Sequence, residues 1–147
     1  MGSTVATILE HKGSEVTTIP PDARVAEATE LLAGRGIGGV VVSSDGKTIE
    51  GLLSERDVVR HIASAGAAGL EDEVGDVMVR DVATCSPGTT VDELSVLMTE
   101  GRFRHVPVRD AGQLAGIVSV GDVVWVRMEE LAEDADQLRA YVSGSSY

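Results

Sequence analysis

Cysteine occurs once in this 147-residue chain, at Cys85, and aromatic rings occur only four times, at Phe103, Trp125, Tyr141 and Tyr147. A single thiol excludes an internal disulfide and any zinc site built on several cysteines. With so few rings, the core has to be filled by the Val, Ile, Leu and Ala that dominate the 43% hydrophobic content. Basic residues are also scarce: 12 Lys and Arg stand against 24 Asp and Glu, a formal charge of −12. An acidic surface repels phosphate backbones and anionic membranes, so neither a nucleic acid nor a membrane is expected as partner. No apolar run approaches the roughly 18 residues that a membrane helix needs, and no cleavable leader opens the chain. These absences point to a reducing, cytoplasmic setting. His11, His61 and His105 share no metal-ligand spacing, and the glycines of residues 36–39 do not have the spacing of a phosphate-cradling loop. No metal is expected.

What the chain does have is a repeat. Thr18, Pro21, Val25, Glu27 and Leu31 recur as Thr84, Pro87, Val91, Glu93 and Leu97, all 66 positions later. Further on, Gly51-Leu-Leu-Ser-Glu-Arg-Asp57 recurs as Gly116-Ile-Val-Ser-Val-Gly-Asp122, now 65 positions later. A one-residue change in the turn at Asp45-Gly46, matched by Ala111-Gly112, accounts for the slip.

Each copy reads as strand, helix, strand, turn, strand, helix. Opening strands are expected at residues 16–19 and 82–85, ended by prolines that cannot continue a ladder. Val25, Ala28 and Leu32 share one helical face, as do Val91, Leu94 and Met98, and Thr90 with Glu93 has the spacing of a capping box. The middle strands fall at 40–42 and 106–108, the last strands at 49–53 and 114–118, and closing helices begin at Ser54 and Ser119. Neither copy alone is large enough to cover both faces of its sheet. The expected fold is therefore α/β (α+β): two β-α-β-β-α repeats packed sheet to sheet about a pseudo-two-fold axis, with a C-terminal helix. The organisation follows as an N-terminal segment packing on the module (1–15), repeat 1 (16–66), a linker (67–81), repeat 2 (82–128) and a C-terminal helix and tail (129–147).

The doubled Gly-hydrophobic-hydrophobic-Ser-x-x-Asp carries the chemistry. Its plain role is a helix cap, in which Ser caps the first turn and Asp reaches back to the Ser amide, worth about 0.5–2 kcal/mol per cap. Yet it lies at the carboxyl end of a strand, where open sheets bind ligands, and beside a helix N-terminus, which favours phosphate. An Asp there can accept hydrogen bonds from both vicinal hydroxyls of a ribose. Arg102, Arg104, His105 and Arg109 cluster around the second middle strand, whereas the first copy places Gly38-Gly39 at the position of Arg104-His105.

On these residues the chain resembles the tandem cystathionine-β-synthase (CBS) domain pair, or Bateman module, in a stand-alone form. The resemblance spans residues 5–126, including Arg104-His105-Val106-Pro107-Val108. It implies that Asp57 and Asp122 hold ribose hydroxyls, that Ser54 and Ser119 contact ribose or phosphate, and that Thr18 and Thr84 line the pocket. It further implies that Ile37, Gly38 and Gly39 meet the adenine edge, and that Arg104 and His105 hold a phosphate tail, with Arg56 as a weaker contributor. The implied ligands are AMP, ADP, ATP or NAD(H), with S-adenosylmethionine as the alternative. The implied role is a non-catalytic regulatory sensor of cellular energy or redox state.

Cys85 sits where Ile19 sits in the first copy, which makes it a small core residue. Val124, Met128, Leu131, Ala135, Leu138 and Val142 are spaced 4, 3, 4, 3, 4 along one helix face. Such a seam fits homodimerisation. Two rivals remain at this stage: an interaction adaptor whose Ser-x-x-Asp segments are only caps, and a small enzyme, for which no nucleophile–base set can be assembled.

Overall fold

The computed structural model describes residues 2–144. After helix α1 (Val5–Lys12) the first copy runs β1 (Thr18–Ile19), α2 (Val25–Arg35), β2 (Gly39–Val42), β3 (Gly51–Ser54) and α3 (Glu55–Ala65). A 3-10 turn (Ala67–Glu71) and the short α4 (Val74–Val77) lead to the second copy, α5 (Val91–Gly101), β4 (His105–Asp110), β5 (Gln113–Ser119) and α6 (Val120–Ser143). β1 and β2 are parallel across the α2 crossover, and β2 and β3 are antiparallel with Val40 opposite Leu53. β4 and β5 repeat the hairpin with Val106 opposite Val118 and a bulge between Val108 and Arg109.

The opening strands are shorter than the sequence suggests. Only Thr18 and Ile19 pair with β2, and in the second copy the pairing shrinks to a parallel bridge between Cys85 and Val108. These segments have a ladder on one side alone, and Pro20 and Pro21 follow at once in the first copy. The turns match the sequence more closely. Ala111 and Gly112 both have positive φ, 53° and 77°, as a two-residue type I′ hairpin requires. In the other turn Asp45 Oδ1 accepts from the amides of Lys47 and Thr48, and φ is 77° at Gly46.

Each copy has its own aliphatic core. Ile19, Val25, Ala28, Leu32, Val40, Val42, Leu53 and Val58 form the first, and Cys85, Val91, Leu94, Met98, Val106, Val108, Val118 and Val126 the second. Cys85 is buried among aliphatic side chains, and burial raises its thiol pKa to about 11. The other face of each middle strand, Val41 in one and Pro107 in the other, is buried as well. A strand buried on both faces needs a layer over each of them.

The cores are completed crosswise. Val5 and Ile8 of α1 belong to the second core, although α1 precedes the first copy, and Val74 and Met78 belong to the first. Backbone clips fix the exchange: Val5 N–H donates to Thr89 O and Val91 N–H to Ser3 O, while Val74 N–H donates to Ala23 O and Val25 N–H to Asp72 O. Met78 also explains the glycine of the first motif, because a Cβ at Gly51 would lie 2.5 Å from its sulfur and 2.8 Å from Val79 O.

Candidate functional site

The two Ser-x-x-Asp segments form full reciprocal caps. Ser54 and Ser119 sit at the N-caps of α3 and α6, and each hydroxyl accepts from the Asp amide three residues on. Asp57 Oδ2 accepts from Ser54 N–H and Oγ, both at 2.9 Å; Asp122 Oδ2 accepts from Ser119 N–H at 2.8 Å and Oγ at 3.1 Å. Capping thus uses Oδ2 of each carboxylate and leaves Oδ1 without a hydrogen bond among the described residues.

The surroundings of the two carboxylates then diverge. Asp57 lines a cleft of about 610 Å³ that opens between the copies. Its floor and one wall come from Gly38, Leu52, Ser54 and the start of α3, and the opposite wall from Val79, residues 81–83 and residues 101–105. Arg56, Arg60, Arg102 and Arg104 line it, and no ion pair ties down any of the four among the described residues. The carboxylates in the lining are Glu55, Asp57 and Asp81. In a chain of net charge −12 this is a local excess of cationic side chains.

His105 stands at the junction. Its imidazole lies over the Gly38-Gly39 backbone, where an added Cβ would come within 3.1 Å of the ring at either glycine. Burial lowers its pKa below the usual 6.5, helped by Arg104 and Lys12 and opposed by Glu55 and Asp122. Burial thus favours the neutral ring, and the fixed positive charge of the cleft comes from guanidiniums. Arg104 precedes β4 and His105 begins it, so both can line the same cleft despite the alternation of a regular strand.

Of the residues singled out in the sequence, the structure brings Gly38, Ser54, Arg56, Asp57, Arg104 and His105 to this one cleft. Ile37 lines a shallower groove beside α2 and α3. Thr18 pairs with Val41, Gly39 with Ser54, and Thr84 directly precedes the Cys85 bridge; none of these three lines the large cleft. Ser119 and Asp122 lie on the other side of the pseudo-axis, where Lys12 Nζ donates to Asp122 Oδ2 at 2.8 Å. Arg60 carries cleft charge that the motif search passed over, and Arg102, noted in the sequence only as part of a basic cluster, lines the cleft as well. Arg60 is one turn beyond the Arg56-Asp57 pair, a spacing that could have flagged it.

A family model, the CBS domain, matches residues 9–64 and 74–129. Among curated proteins, a mitochondrial CBS domain-containing protein of Arabidopsis thaliana is 32% identical over 97% of this chain and 73% of its own length. Among solved structures, a CBS-domain containing protein of Agrobacterium tumefaciens is 44% identical, covers 85% of this chain and 99% of its own, and superposes with a TM-score of 0.82. A second solved structure, a CBS-domain protein in complex with AMP, is 26% identical with a TM-score of 0.72 over 87% of this chain and 98% of its own.

Proposed function

The chain belongs to the CBS-domain family, of which it carries two copies, and we propose that it is a non-catalytic regulatory module that binds an adenine nucleotide in the cleft between them. The observation that carries this reading is the coincidence, in one cleft, of a carboxylate with one oxygen unbonded and four arginines unpaired among the described residues. Asp57 Oδ1 accepts no hydrogen bond among the described residues, so it is available to ribose hydroxyls. Arg56, Arg60, Arg102 and Arg104 suit a phosphate tail, since guanidinium forks pair with phosphate oxygens, and the positive dipole end of α3 lies beside them. The AMP carried by a 26% identical relative supports an adenosine head. A sulfonium ligand such as S-adenosylmethionine fits less well, because its added positive charge would face the same guanidiniums. AMP, ADP, ATP and NAD(H) all fit, and the role that follows is sensing of energy or redox state.

The adaptor reading draws support from the complete capping boxes, which explain Ser54 and Asp57 without any ligand, but it leaves the arginine-lined cleft unexplained. An enzymatic reading has no reactive thiol to use, since Cys85 is buried and its pKa is raised. The buried lone cysteine suits a cytoplasmic setting, and among the described residues no helix is long and apolar enough to cross a membrane.

Assembly belongs to the proposal. Met128, Leu131, Leu138 and Val142 are each more than 60% exposed on α6, so the seam has no cover among the described residues. A second copy covers it in a homodimer. In heptad terms Glu129, Glu130, Glu133 and Asp136 fall outside the seam, whereas Asp134 and Arg139 flank it in a spacing that pairs them across a parallel two-fold contact.

The test is calorimetric titration of protein stripped of ligand. In Asp57→Asn the amide oxygen can keep the cap while its NH₂ faces the cleft, so affinity for ATP should fall tenfold or more, about 1.4 kcal/mol. Equal affinity in the variant would remove Asp57 from the site.

A further inference from the structure

The repeat predicts a second cleft at Ser119 and Asp122, and the pseudo-axis relates every residue of the first cleft to one of the second. The counterparts of the four arginines are all uncharged. Arg56 and Arg60 correspond to Gly121 and Trp125, and Arg102 and Arg104 correspond to Gly36 and Gly38. The second corner is also not empty. Lys12, in the last turn of α1, donates both to Asp122 Oδ2 at 2.8 Å and to the strand carbonyl of Ile117 at 2.9 Å. One residue earlier, the His11 imidazole stacks on the Trp125 indole at 3.6 Å between centroids and 10° between planes. Leu9 closes the floor, with its Cδ2 2.7 Å from where a Cβ on Gly116 would stand.

In the first copy the positions that match Leu9, His11 and Lys12 are Gly75, Val77 and Met78, so no cation reaches Asp57 from that direction. Met78 stays in the core against Gly51. The difference between the two carboxylates is thus written in three side chains of one helical turn.

We infer that α1 is the resident occupant of the second cleft: the Lys12 ammonium pairs with the Asp122 carboxylate through its capping oxygen and neutralises the charge a ribose would meet, and the His11–Trp125 stack fills the space beside it. Lys12 thereby sets the stoichiometry of the module at one nucleotide per chain, held at Asp57, although the capping motif is present twice. This inference rests on the reading of the Asp57 cleft as a nucleotide site, and it goes beyond that reading by assigning Asp122 an internal partner in place of a ligand.

The experiment is titration of the full chain with ATP, read for the number of sites. Wild type should bind one equivalent. The triple variant His11→Val, Lys12→Met, Trp125→Arg installs the first copy's residues at the matching positions and should gain a second, weaker binding event. Adding Asp122→Asn to that variant should abolish the second event and leave the first. Lys12→Met alone, a gentler change, should shift the site number in the same direction. Two equivalents bound by wild type, or one by the triple variant, would overturn the inference while leaving the Asp57 reading intact. If wild type binds no nucleotide, the Asp57 reading fails, and hydrogen exchange then decides the contact itself. Asp122→Asn keeps the cap and removes the charge, so exchange of the amides at residues 9–13 should quicken about two- to fivefold. Unchanged exchange there would contradict the claim that Asp122 holds α1 in place.

Discussion

Asp57 and Asp122 close the same cap with the same atoms, and what distinguishes them lies in neighbours supplied by other parts of the chain. Their capping role was legible in the sequence because it is local, set by a three-residue spacing. Their different surroundings were not, since Lys12 lies 110 positions from Asp122. Arg102 shows a similar conflict between residue and place. It caps α5 with φ 57°, where the first copy has Gly36 at 63°. A left-handed conformation suits glycine and strains a side chain that carries Cβ. Arg102→Gly should therefore raise stability by about 0.5–1 kcal/mol in denaturant unfolding while weakening ATP binding. A variant that loses stability, or binds as tightly as wild type, would show that Arg102 is placed for another reason. His105 adds a pH dependence. Its folded pKa lies below the unfolded value of 6.5, so the unfolded chain takes up the proton first. Stability from this group is fully present above pH 6.5 and declines as pH falls below it. His105→Gln should flatten that part of a pH–stability curve; an unchanged slope would assign it to other groups.

At the scale of elements, the helices followed their sequence patterns because each has one apolar face and a definable start. Val25, Ala28 and Leu32 are all buried on α2, as are Val91, Leu94 and Met98 on α5. Thr90 does cap α5, its hydroxyl accepting from Glu93 N–H at 3.0 Å. Residues 16–19 and 82–85 were over-read as strands, because β propensity does not report whether a pairing partner lies alongside. The crosswise completion of the cores was the least legible feature. Ile8 and Val74 stand 66 positions apart and are both fully buried, so the repeat register extended backwards would have placed them in matching roles. It gives no hint that each serves the other copy. Ile8→Ala should cost about 2–5 kcal/mol and expose the second core around Leu94 and Val106, read by hydrogen exchange. Exposure centred on Val40 and Leu53 instead would contradict the exchange of α1 between copies.

For the whole molecule, the doubled motif announced two halves and two matching corners, and this much of the fold came from sequence alone. The halves prove unequal in charge: one corner collects arginines that form no ion pair among the described residues, and the other is met by the chain's own lysine. Length and composition could not reveal this, since 12 basic residues among 24 acidic ones say nothing about where they gather. The same scale holds the assembly. Leu131→Asp with Leu138→Asp should convert the proposed homodimer to a monomer in light scattering without lowering the melting temperature of the module, because both side chains are exposed in the single chain. Dimerisation that survives both changes would move the interface away from α6.

Calorimetry of ligand-free wild type and Asp57→Asn with ATP tests the central claim most directly. Saturable binding by the wild type, weakened tenfold or more by Asp57→Asn, is the result expected of a nucleotide module whose ribose carboxylate is Asp57. Absence of binding by AMP, ADP, ATP and NAD(H) alike, or binding indifferent to Asp57, would contradict it and leave the Ser-x-x-Asp segments as helix caps.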